Sequence, residues 1–137
     1  MHKIEIILHK GFYPTTEVRD FIAVICRRWG FTSRHAYQIK TAVDEALTNI
    51  IQHAYKNGQG MIKLQISYNR EKMKIIIRDR GKPLEQRPRT TPVDLVIKKK
   101  DRGLGLVLIE RLMDKVKRIR RKNYNELVME KTRTGAR

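Results

Sequence analysis

Apolar and polar positions alternate between residues 3 and 9. Ile4, Ile6 and Leu8 fall on one face and Glu5, Ile7 and His9 on the other, which predicts a strand with one buried face. Gly11 and Pro14 interrupt it, and the period then lengthens. Val18, Phe21, Ile22, Ile25, Cys26 and Trp29 recur at threes and fours, a helical stripe. It opens at Pro14-Thr15-Thr16-Glu17, with threonine near the cap, and closes at Gly30. A second stripe follows Thr32-Ser33: Ala36, Ile39, Ala42, Val43, Ala46, Leu47, Ile50, Ile51 and Ala54. It predicts a helix running to about Tyr55. Asn57-Gly58-Gln59-Gly60 is a turn. Residues 61–68 alternate again, with Ile62, Leu64 and Ile66 on one side, and residues 69–72 lead into a strand at 73–78. That connection is too short for a crossover, so the pair is antiparallel.

The pattern dissolves between residues 80 and 102, where Pro83, Pro88 and Pro92 stand among many basic residues. A segment of that length inside a small domain reads as a lid over a site, with a short helical turn at 93–97. Gly103-Leu104-Gly105 then leads into a helix whose buried stripe is Leu106, Ile109, Leu112, Met113 and Val116. Residues 116–121 and 126–131 form a last hairpin, and residues 132–137 a basic, frayed tail. The order is strand, helix, helix, strand, strand, lid, helix, strand, strand. Hairpins dominate it, and each helix carries one apolar stripe. The expected fold class is therefore α+β: a single domain over residues 1–137, a two-layer α/β sandwich. Its mixed, mostly antiparallel sheet is covered on one face by three helices.

Composition narrows the function classes. With 137 residues and 40% apolar side chains, the chain supports one core and no second domain. The longest apolar run, residues 21–26, is too short to span a bilayer, and the charged N-terminal residues do not read as a signal peptide. One cysteine, Cys26, excludes an internal disulfide. The expectation is a soluble cytoplasmic protein. Lys and Arg number 31 against 14 Asp and Glu, a formal charge of +17, so an acidic partner is expected: nucleic acid, anionic membrane, nucleotide or acidic protein.

Three constellations carry candidate chemistry. Glu45, Asn49 and His53 are spaced by four and four, which lines them along one edge of the second helix beside Ala46, Ile50 and Ala54. A carboxylate can accept a proton and a carboxamide can give Mg²⁺ a neutral oxygen. From spacing alone a solvated polar edge is the commoner reading. Asp79-Arg80-Gly81 ends a strand. Its carboxylate can take a hydrogen bond from an exocyclic amine, or simply cap a turn. Arg102-Gly103-Leu104-Gly105 opens a helix whose backbone N–H groups suit a phosphate, although glycine before a helix also serves packing.

In their order, these segments resemble the Bergerat-fold ATPases, the superfamily of gyrase, the histidine kinases and the mismatch-repair ATPases. Within it the chain is most similar to the bacterial anti-sigma factor serine kinases. The segments that carry the resemblance are residues 43–55, residues 77–83 and residues 103–116, with residues 125–131 matching the last strand. Lys82-Pro83 stands where many superfamily members have a second glycine, and Lys100-Asp101-Arg102 where many relatives have more glycine.

The resemblance implies a serine/threonine-protein kinase that binds ATP and Mg²⁺ between the helices and the sheet. Glu45 would be the general base and Asn49 the Mg²⁺ ligand. Asp79 would bind the adenine amino group, with Gly81 letting the base approach the backbone. The Gly103-Leu104-Gly105 backbone would hold the phosphates and Arg102 would offset their charge. His53 would lie toward the nucleotide, and Thr132 would touch it. The implied partners are a sigma factor and an anti-anti-sigma protein, with the kinase acting as a homodimer. Two other readings stay open: a kinase-inactive, nucleotide-dependent regulator of the same fold, and a basic nucleic-acid-binding protein. The stretch 115–122 motivates the second, with Tyr124 as its one aromatic candidate.

Overall fold

The computed structural model describes residues 2–55, 60–81 and 102–133, with the backbone alone at residues 53, 54 and 102–106. Most of the expected lid (82–101), its helical turn at 93–97 and the tail end at 134–137 lie outside the described residues.

Five strands alternate with three helices in the expected order. Strand β1 is His2–Leu8, β2 Ile62–Tyr68, β3 Lys72–Asp79, β4 Lys115–Arg120 and β5 Asn125–Thr132. Helix α1 is Thr15–Arg28, α2 Ser33–Asn49 and α3 Arg102–Leu112. The sheet order is β1-β2-β3-β5-β4, and every pairing is antiparallel, so nothing in it is mixed. Register follows the apolar alternation, because a slip by one residue would turn every buried side chain outward. Ile4, Ile66, Ile75 and Met129 therefore lie in one row across four strands, and Ile6, Leu64, Ile77 and Leu127 in the next.

That face packs under the helices. Val18, Ile22 and Cys26 of α1, Ile39, Val43 and Leu47 of α2, and Ile109 of α3 are buried with it in one core. Phe21, expected on the stripe of α1, is instead 41% exposed at its edge. The Thr32 hydroxyl caps α2 by accepting from the N–H of His35 at 3.1 Å. Helix α1 has no side-chain cap, against the threonine cap expected there. Its end is set by Gly30 at φ +92°, a conformation that costs glycine little. Trp29 stacks on Tyr68 with ring centroids 4.5 Å apart, and the Tyr68 hydroxyl donates to the Trp29 carbonyl at 2.8 Å.

Three boundaries differ from the sequence reading. Helix α2 ends at Asn49 and continues as a π-helical turn, Ile50–Ala54, in which the N–H of Tyr55 reaches the carbonyl of Ile50 five residues back at 2.9 Å. The two glycines of Gly103-Leu104-Gly105 lie inside the first turn of α3 rather than before it. The start of the tail is not frayed. Thr132 pairs with Lys72, and the N–H of Arg133 donates to the Glu71 carbonyl at 2.7 Å.

Candidate functional site

Asn49 is the last α-helical residue of α2 and one of few buried polar side chains in the core. Glu45 stands one turn before it, half-buried, so the two are stacked as the four-residue spacing predicts. His53 falls on the π turn, where the α spacing no longer applies; its side chain lies outside the described residues. Single-turn π segments inside α-helices are frequent at functional sites.

Here the π turn delivers Tyr55. Its hydroxyl donates to the Met61 carbonyl at 2.8 Å and accepts from the Arg80 N–H at 2.5 Å. Burial pushes this phenol above its ordinary pKa, outweighing the Arg80 N–H that favours the phenolate, so the hydroxyl keeps its proton and can donate. The end of α2 is thus fastened to the end of β3, one residue past Asp79. Gly60 makes room for the ring: a Cβ there would lie 2.0 Å from Tyr55 Cε1. From the other side the Tyr13 hydroxyl donates to the Gly60 carbonyl and accepts from its N–H at 3.2 Å.

Asp79 is 4% exposed. Its Oδ1 accepts from the Gly81 N–H at 2.9 Å, the turn-capping contact that the sequence allowed. The same oxygen accepts from Asn125 Nδ2, also at 2.9 Å. Asn125 is 1% exposed and directly opposite Asp79 in the β3–β5 ladder. Its Nδ2 also lies 3.3 Å from the Gly81 carbonyl, and its Oδ1 accepts from Arg120 Nη1 at 3.2 Å. Acceptors on one side and a guanidinium on the other fix the amide's orientation.

Sequence reasoning missed Asn125 and Tyr55. The first had a signal: the inward alternation Met129, Leu127 runs back to residue 125, which puts a carboxamide in a core-facing position. Tyr55 had none, because its partner Arg80 lies 25 residues away.

Helix α3 packs against α2, so the Arg102-Gly103-Leu104-Gly105 backbone belongs to the same helical layer as Glu45 and Asn49. As the first turn of α3, those residues contribute backbone N–H groups without intrahelical acceptors. At its other end the buried Lys131 ammonium donates to the Leu112 carbonyl at 2.5 Å, where the helix carries partial negative charge. Burial lowers the pKa of this lysine, and Arg34 adds to that against the opposing effect of Asp114.

Thr132 is not brought to this group. It pairs with Lys72 at one end of the β3–β5 ladder while Asp79 pairs with Asn125 at the other, seven residues or about 24 Å away. Its N–H instead donates to Asp114 Oδ2 at 2.6 Å. Antiparallel register, not sequence order, decides which end of β5 meets Asp79. Cys26 takes no part either: it is fully buried against Met73, and burial pushes its thiol to about 12. Among the described residues no group of three or more His, Cys, Asp or Glu side chains could hold a metal ion. No helix among them is long and apolar enough to cross a membrane.

The antiparallel sheet under three helices is a fold shared with known proteins. Residues 14–131 match the family described as the histidine kinase-like ATPase domain, and the chain belongs to that family. Individual relatives include the serine-protein kinase RsbW of Halalkalibacterium halodurans, 38% identical over 105 residues, which are 72% of this chain and 64% of that protein. RsbW of Oceanobacillus iheyensis is 38% identical over 100 residues, 68% of this chain and 63% of that protein. The match thus spans somewhat less than two thirds of each of these relatives. Among solved structures, the catalytic domain of the histidine kinase ThkA shares the fold at a TM-score of 0.53 and 16% identity, over 97% of both chains.

Proposed function

We propose that this chain binds ATP with Mg²⁺ between the helical layer and the Asp79 end of the sheet. We read it as a serine/threonine-protein kinase, a cytoplasmic anti-sigma regulator that phosphorylates an anti-anti-sigma partner, sequesters a sigma factor and works as a homodimer. The observation that carries this is the Tyr55 bridge, which ties the helix of Glu45 and Asn49 to the strand end of Asp79. That the relatives are serine-protein kinases agrees with it.

The residues fit these ligands. Asp79 is an acceptor for the exocyclic amine of adenine, and Gly81 beside it has no side chain to obstruct a planar base. Asn49 offers a neutral oxygen at the edge of the core, and His53, on the π turn that follows, would contact the nucleotide. With no acidic cluster around it among the described residues, a cation there would take its other ligands from phosphate oxygens and water. Bound Mg²⁺ would neutralise charge on the phosphates. The first turn of α3, Arg102 to Gly105, would take the phosphates on its N–H groups, with the Arg102 charge in support. Glu45 would accept the proton of the incoming serine hydroxyl as its oxygen bonds to the γ-phosphorus and the bond to ADP breaks.

The test is Glu45→Gln, with Mg-ATP and the cognate partner protein. ATP affinity should stay within about twofold of wild type while phosphoserine formation falls by roughly 10²–10⁴-fold, the contribution of a positioned base. Undiminished transfer would remove Glu45 from the chemistry. Wild-type protein that binds no adenine nucleotide would remove the reading altogether.

A further inference from the structure

The sheet has a second face, opposite the helices. Lys63 and Arg78 are cross-strand neighbours on β2 and β3, and both point to that face, because the adjacent Leu64 and Ile77 point into the core. Together with Met61, Arg80, Tyr124 and the Asp79 end of the strand, they line a cavity of about 260 Å³. It borders the proposed nucleotide site at Asp79, but its cations and apolar wall lie on the other face of the sheet, and the test below reads peptide binding rather than nucleotide binding.

Among the described residues the lining carries three cations, Lys63, Arg78 and Arg80, against one carboxylate, Asp79, whose Oδ1 already accepts from Gly81 and Asn125. Arg78 donates to Glu126 at 2.8 Å and lies 5.8 Å from the centre of the Tyr124 ring, which holds its guanidinium in place. Glu126 also receives Arg121 at 3.2 Å, so a single carboxylate serves two guanidiniums and one positive charge is left over. Lys63 reaches Glu5 only at 3.9 Å, and both side chains are more than a third exposed, a weak pair in water. Arg80 forms no ion pair among the described residues. Size decides what could enter. Small-molecule and cofactor sites run to roughly 300–1,000 Å³, and this cavity is smaller, the room of one or two side chains. Met61, 42% exposed, and the half-buried Tyr124 ring add an apolar wall.

We infer that this pocket docks an acidic side chain with an apolar neighbour, presented by a partner protein on the open face of the sheet. The cations supply complementarity to a carboxylate and the Met61–Tyr124 wall takes the adjoining apolar group. A site there gives part of the +17 charge a defined use, at a place that leaves the helical layer unobstructed.

The probe is a dye-labelled peptide of three Glu-Leu repeats, titrated by anisotropy at physiological salt beside its Gln-Leu counterpart. The acidic peptide should bind and the Gln peptide should not. Lys63→Glu with Arg80→Glu should weaken binding about tenfold or more. Arg28→Glu with Arg34→Glu, exposed positions on α1 and α2 and an equal change in net charge, should leave it unchanged. Tyr124→Ala, which removes no charge, should weaken it severalfold, and thermal melts confirm that each variant is folded. Equal losses in the two charge-reversed pairs would reduce the binding to diffuse attraction and overturn the proposal. So would absence of peptide binding, or tighter binding of single-stranded oligo(dT) to the same residues.

Discussion

Asp79 receives two hydrogen bonds on one carboxylate oxygen, one local and one distant along the chain: Gly81 two residues on, and Asn125 from the neighbouring strand. Two donors on one atom fix the rotation of the carboxylate, which a single turn contact would leave free to swing. Asn125→Asp replaces the amide donor with a second carboxyl at about the same distance. Like charges that close resist joint ionisation, so the pair must share a proton or separate. The Arg120 guanidinium, now on Asn125 Oδ1, favours the charged form of the new carboxyl, and the Arg80 and Tyr55 groups flank the turn. ATP affinity in this variant should drop about tenfold, because a carboxylate there repels Asp79 instead of donating to it. Asn125→Leu, which removes the donor without adding a charge, should lose less. An Asn125→Asp protein with wild-type affinity would show that Asp79 needs no such support. Part of this was legible in the sequence. Asp-x-Gly after a strand marked the turn, and the inward period of β5 could have marked Asn125. Their pairing was not legible, because it depends on β5 rather than β4 lying beside β3.

At the scale of the elements, the connection between α2 and β3 runs through one hydroxyl. Tyr55 accepts from Arg80 and donates to Met61, which satisfies two backbone groups that otherwise lie against the core edge. Tyr55→Phe keeps the ring and its packing on Gly60 but leaves both groups without that partner. It should cost about 1–3 kcal/mol in urea unfolding. If the bridge positions Asp79 relative to Asn49, ATP affinity should fall by more than the loss of folded protein explains. A variant that is destabilised but binds ATP normally would make the bridge purely structural. The strands and helices themselves were readable because each is dictated locally: Ile62, Leu64 and Ile66 alternate along β2 and Met73, Ile75 and Ile77 along β3, and the stripes of α1 and α2 repeat every three and four residues. The change to π geometry after Asn49 was not. Apolar periodicity continues smoothly through Ile50, Ile51 and Ala54, and the wider turn is set by where Tyr55 must arrive.

Over the whole molecule, the scarce carboxylates do more for stability than their number suggests. On β5, Glu126 sits between Arg78 and Arg121, and Glu130 meets Lys72 at 2.5 Å, so both pin the open face of the central strands. Burial pushes Glu126 up, but the hydrogen bonds from Arg78 and Arg121 outweigh it and hold the carboxyl below its ordinary range. For Glu130 the Lys72 hydrogen bond is the main cause of the same downward shift, opposed by burial. A carboxyl depressed on folding binds fewer protons in the folded state than in the unfolded one. Its contribution is therefore complete above the unfolded value, near 4.5, and is lost as pH falls through the lower, folded value. The +17 charge sharpens this, because each neutralised carboxylate adds to the repulsion among the cations. The thermal midpoint should be level from about pH 7 to pH 5 and fall steeply below. Glu126→Gln should be less stable than wild type by about 1–2 kcal/mol near neutrality, a modest loss because both guanidiniums keep contact with water. The difference should close as wild type is titrated through the lowered, folded value of Glu126, where its own carboxyl takes up a proton. A gap that stayed constant from neutral to acid pH would mean that the packing of residue 126, and not its charge, holds β5 against β3.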